Sequence, residues 1–177
     1  IAKLPSGLIA KKTFSLPEEN KPGSAFILNF ELKLENATAS ATNLGQWSIF
    51  MGEASPLYQA EVGQQTGFFW SENGGIHFKD GSGFKGGMFS SAKSIMKSDS
   101  VKPVKFAGVT NQFFATVIRP VEPVVANVWA RSSQVSLATN AAPVTAVNAG
   151  LHLPTVSLKP GEPLTLDYLV FIGPKHN

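Results

Sequence analysis

Between Phe26 and Glu35 large apolar residues fall at every second position: Phe26, Leu28, Phe30, Leu32 and Leu34, with Asn29, Glu31, Lys33 and Glu35 between them. Successive side chains of an extended chain point to opposite faces, so this pattern predicts a strand with one face on a core and one in water. A partner is predicted at Lys11 to Leu16, joined to it through Pro17 to Gly23, a stretch of turn residues with a proline near each end. Further strands are suggested at 45–52, 66–71, 75–79, 102–109, 112–118, 125–132, 135–139, 144–153 and 164–172. They recur about every ten residues, the spacing of all-β sandwiches. Helix signals are sparse: only Ser90 to Lys97 has the composition for two helical turns. No alternation of strand and helix is present, which argues against a parallel α/β sheet.

Composition narrows this picture. The chain has 177 residues, 43% hydrophobic and 15% charged, enough for one core and short for two, so residues 1–177 are expected to form a single domain. The start, Ile1-Ala2-Lys3-Leu4-Pro5, lacks the layout of a signal peptide, and no run of eighteen apolar residues occurs. A fragment of a larger protein is the expectation. Cysteine is absent, which removes disulfides and thiolate metal sites. The net charge of +3 is spread over dispersed lysines, without the dense basic face and interleaved aromatics of a nucleic-acid binder. Nothing in that pattern goes beyond a weak attraction to an anionic membrane surface.

Candidate chemistry is thin. Of the three histidines, His176 sits beside the terminus and His152 alternates with Leu151 and Leu153, an exposed strand position. His77 lies three residues before Asp80, but in an extended strand the two face opposite sides, which is poor geometry for an acid–base pair. No metal-ligand spacing is found, and the glycine-rich run from Gly74 to Gly87 lacks a Gly-Lys-Ser/Thr sequence. Asn36-Ala37-Thr38 fits a glycosylation acceptor only formally. No cofactor, no metal and no catalytic residue is expected. The apolar residues of Gly67 to Phe89 are more unusual, because they sit in glycine-rich sequence. Phe68, Trp70, Phe84, Met88 and Phe89 are either core or a patch contacting a partner or an extended apolar peptide.

Two stretches carry a family resemblance. One is Gly108-Val109-Thr110-Asn111-Gln112-Phe113-Phe114-Ala115-Thr116-Val117-Ile118-Arg119-Pro120, the other Lys159-Pro160-Gly161 followed by Leu169 to Lys175, which ends in Gly173-Pro174-Lys175. With Lys12 to Leu16 and the alternating strand ending at Asn36, their order resembles the periplasmic domain of the YidC-type membrane protein insertases. The likeness runs from Leu8 to Asn177, with Arg119 lengthening the usual Ile-Pro ending and nothing added between Gly52 and Lys102. It implies a β-supersandwich similar to galactose mutarotases, with two twisted antiparallel sheets packed face to face, little helix, and N-terminal strands of the full domain missing. It also implies a position on the periplasmic side of the bacterial inner membrane and a multi-pass parent. Sec translocon components and nascent membrane proteins would be its partners, reached through the parent, with the isolated domain a monomer. The domain itself would be an accessory scaffold or contact surface assisting insertion and folding, and not an enzyme. A different class, a secreted carbohydrate-binding or mutarotase-like module, predicts a cleft lined by Trp47, Trp70 or Trp129 with carboxylates beside it. An adhesin-type sandwich would polymerise through exposed edges.

Overall fold

The computed structural model describes residues 1–17, 24–61, 63–85, 91, 93–98 and 102–175, with the backbone alone for Lys97. Among them are fifteen strands: β1 (Ala2–Lys3), β2 (Leu8–Ser15), β3 (Ile27–Asn36), β4 (Thr42–Leu44), β5 (Trp47–Ala54), β6 (Gly67–Glu72), β7 (Gly75–Asp80) and β8 (Ile95–Lys97). There follow β9 (Lys102–Val104), β10 (Ala107–Thr110), β11 (Phe114–Pro120), β12 (Val124–Val135), β13 (Val144–Leu153), β14 (Val156–Leu158) and β15 (Pro163–Pro174). Short 3-10 turns at Ser24–Phe26, Gly63–Gln65 and Gly81–Phe84 are the helical content of the described residues.

An eight-stranded sheet runs in the order β1-β2-β3-β15-β11-β10-β6-β7, and a second sheet in the order β5-β13-β12-β8, with β9 also on β12. Every pairing is antiparallel. A small β14-β4 ribbon closes one end. The fold is therefore an all-β sandwich. Its second sheet stacks on the β11, β10 and β6 part of the large one through β5 and β13.

Alternation places the core. On β3 the buried residues Phe30, Leu32 and Leu34 share a face with Ile118 of β11, Val109 of β10, and Phe68 and Trp70 of β6. Opposite them stand Ile49 and Met51 of β5, Val147, Ala149 and Leu151 of β13, and Val128 and Ala130 of β12. Burying one such side chain fully contributes about 1.5–3 kcal/mol.

The local chemistry explains the corners. Asn73 and Gly74, at φ 52° and 80°, make the two-residue β6–β7 hairpin that an Asn-Gly pair favours. Strand β13 is buried on both faces at its centre, and at Gly150 the cover is Trp129 of β12; a Cβ there would come within 2.6 Å of the indole.

Several expectations are corrected. Residues 135–139 do not form a strand of their own, since β12 ends at Val135 and a turn follows in which the Ala141 N–H donates to the Ala138 carbonyl and Asn140 has φ 64°. The segment 102–109 is broken because the Lys105 and Phe106 N–H groups donate to the Ser71 Oγ, which ends β9 before β10 begins. Where a helix was expected, Ile95–Lys97 pairs with β12 as β8, while Ser90 and Ala92 lie outside the described residues. Most of the turn at Pro17 to Gly23 lies outside them too.

Candidate functional site

The two stretches that carry the resemblance turn out to be neighbours. Strand β11 pairs along its whole length with the second half of β15, from Phe114 opposite Pro174 to Pro120 opposite Tyr168. Asn111 shapes the β10–β11 loop: its Oδ1 accepts from the N–H groups of Phe113 and Phe114 at 3.0 and 2.8 Å, and its Nδ2 donates to the Ser55 carbonyl. Lys159-Pro160-Gly161 forms a turn closed by the Glu162 N–H donating to the Lys159 carbonyl at 3.0 Å, with Gly161 at φ 73°. The Gly161 N–H donates in turn to the Asn36 carbonyl at 2.8 Å. These motifs build the fold.

Asn36 is fully buried, and its side chain is saturated. Nδ2 donates to the carbonyls of Ser40 and Leu158, both at 2.8 Å, and Oδ1 accepts from the Thr38 N–H and hydroxyl at 2.9 and 2.8 Å. No glycan fits on such a residue.

Of the candidate contact residues, Phe68, Trp70 and Phe84 are 0%, 2% and 4% exposed and fill the space between the sheets. Trp70 stacks on Phe68 at 5.5 Å and on His77 at 5.3 Å, and its Nε1 donates to Glu72, which pairs with Lys102 at 3.0 Å. Met88 and Phe89 lie outside the described residues, as does His176.

Strand β7 holds His77 and Asp80 on opposite faces. His77 lies against Trp70, while Asp80 caps the Gly81–Phe84 turn, accepting from the Ser82 N–H at 2.7 Å. His152 is half-buried instead of exposed, with Nδ1 2.5 Å from the Ser48 Oγ and its ring 5.6 Å from Trp129. The described residues contain no group of three His, Cys, Asp or Glu able to hold a metal ion. Nor do the three tryptophans share a cleft. Trp47 donates its Nε1–H to the Pro154 carbonyl, Trp70 is in the core, and Trp129 covers Gly150 on the far face of the second sheet.

Two apolar surfaces stand out among the described residues. The first crosses the face of the large sheet that points away from the second sheet. Cross-strand register puts Phe78, Phe69, Gly108, Val117, Phe171 and Ile27 in one row over six strands, from β7 to β3. Phe106 and Leu169 flank the row around a shallow depression of about 260 Å³ that also touches Arg119. Phe78 is 46% exposed and the other side chains of the row are half-buried.

The second surface is a cleft of about 480 Å³. The β2, β3 and β15 part of the large sheet forms one wall, with Phe14, Phe30, Leu32 and Val170, and the edge strand β5 forms the other, with Trp47, Ile49, Phe50 and Met51. Lys12 and Ser48 are the polar side chains on its walls. Sequence reasoning missed both surfaces, because each is assembled by strand register from segments far apart in the chain.

These features define an all-β sandwich with more apolar surface than assembled chemistry. The family model described as the YidC periplasmic domain matches residues 4–177. The chain therefore belongs to the YidC periplasmic domain family. Among curated proteins, none matches it.

Proposed function

We propose that the chain is a non-enzymatic accessory unit on the periplasmic side of the bacterial inner membrane. In this reading it serves the insertase as a contact surface for translocon components or for membrane proteins being inserted. The observation that carries the reading is the row from Phe78 to Ile27. Contiguous apolar area on a sheet face turned away from the core marks an interaction site more often than chance exposure does. Its make-up, phenylalanines beside one arginine, is that of the centre of a protein interface. Further along the same face of β3 the side chains turn polar, with Asn29, Glu31, Lys33 and Glu35, which gives the patch a boundary.

A photoreactive amino acid placed at Phe78 or Ile27 of the intact, membrane-embedded insertase tests this. Adducts with translocon subunits or nascent membrane proteins are expected from those positions, with few from Lys33 on the same sheet face. Equal yields from all three positions, or adducts from Lys33 alone, would sink the proposal.

A further inference from the structure

We infer that the cleft between β5 and the β2, β3 and β15 part of the large sheet is a binding site for one long acyl chain bearing a carboxylate, with Lys12 as the head-group partner. The inference is independent of the surface proposed above, which lies on the other face of the large sheet.

Strand β2 sets up the site by breaking its own pattern. Its inward positions are Leu8, Ala10, Lys12 and Phe14, opposite Asn36, Leu34, Leu32 and Phe30 of β3. Lys12 thus places an ammonium on an otherwise apolar wall, beside Leu32. Among the described residues it has no ion-pair or hydrogen-bond partner, and no acidic side chain lines the cleft. An unpaired cation at the rim of an apolar cavity complements an amphiphile with a negative head. Phe14 and Phe50, 59% and 56% exposed, stand on the two walls and would be covered by an occupant.

Size selects one chain. At about 480 Å³ the cleft is the size of a small-molecule site, with room for a single acyl chain. The β5 edge disfavours the competing occupant, an extended peptide, which would need that edge for its backbone hydrogen bonds. Between Phe50 and Gly52 the register against β13 shifts, leaving Met51 as an extra residue, and Gly52 has φ 133°. Such a bulge bends an edge and spoils it for adding a further strand. An acyl chain asks for no hydrogen bonds.

Trp47 on the wall supplies the readout. The chain is titrated, below the micelle concentration, with a sixteen-carbon fatty acid brominated along its chain, and tryptophan quenching is followed. Saturable one-to-one quenching is expected, absent in Trp47→Phe. Lys12→Glu should weaken the acid about tenfold, as loss of one charge contact would, and leave the matching brominated alcohol unchanged. Circular dichroism checks that both variants are folded. No saturable quenching overturns the inference, as does unchanged affinity for the acid in Lys12→Glu, or equal loss for acid and alcohol. Displacement of the acid by an extended apolar peptide of higher affinity would assign the cleft to peptides instead.

Discussion

The ring of Phe69 occupies the space that a side chain on Gly108, its cross-strand partner, would need: a Cβ there would lie 2.8 Å from the ring and would also collide with the Thr116 carbonyl oxygen. Aromatic cover of a strand glycine recurs at Gly150 under Trp129 and at Gly173 under Phe26. Glycine weakens a strand by itself, and a ring laid over it restores the lost packing. Gly108→Ala is expected to destabilise the protein by about 1–3 kcal/mol, because a carbonyl cannot give way as a flexible side chain can. The midpoint of urea unfolding should fall with an unchanged slope.

Asn36→Ala removes the side chain that ties the turn after β3 to Leu158 at the end of β14. The buried carbonyl of Leu158 then loses its donor, at a cost of about 1–3 kcal/mol. Asn36→Asp keeps the acceptor but not the donor and should be no better. Thermal unfolding of both variants beside the parent checks this.

Tyr168 is 1% exposed, stacks on Phe30 at 5.6 Å, and its buried hydroxyl has no hydrogen-bond partner among the described residues. Burial, and secondarily the charge of Asp167, push its pKa up from the ordinary value near 10. A folded pKa above the unfolded one means that the stabilising contribution is complete below pH about 10 and is lost as pH rises beyond it, because only the unfolded chain ionises readily there. Tyr168→Phe should be neutral or slightly stabilising at pH 7 and should flatten the loss of stability above pH 10. A melting series over pH 7 to 11 decides; parallel curves for the two proteins would refute it.

The row on the large sheet and the core beneath it should respond differently to the same change. Phe78→Ser, at a position 46% exposed, is expected to cost less than about 1 kcal/mol while lowering the binding of a hydrophobic dye. Phe68→Ser, at 0% exposure, should cost more than about 3 kcal/mol and raise dye binding as the core loosens.

How far the sequence could be read depended on element length. Strand β3 is predicted to within a residue at either end because its alternation runs over ten positions, and β13 residue for residue at 144–153 because ten residues without a turn or helix signal read as one long strand. Strands β1, β4, β8 and β14, of two or three residues, carry no period, and their pairing is decided by tertiary contact. Phe68 and Trp70 were ambiguous for another reason: alternation assigns them one face without saying whether a second sheet covers it. The row and the cleft were out of reach. Phe69, Val117 and Phe171 become neighbours through register alone, and the Lys12 ammonium gains meaning only when β5 is seen across from it.

The order of the large sheet has a bearing on how the molecule comes together in time. Its last strand, β15, lies in the middle, with β3 on one side and β11 on the other. Until residues 163–174 are available, β1-β2-β3 and β11-β10-β6-β7 are two separate half-sheets with raw inner edges. A chain delivered from its N-terminus must wait for its final strand before the sandwich can close, and such late long-range pairing is slow and leaves edges open to wrong partners. The Asn36 carbonyl, held by the Gly161 N–H just ahead of β15, marks where that last strand docks, so closing this sheet resembles a zip drawn from its far end.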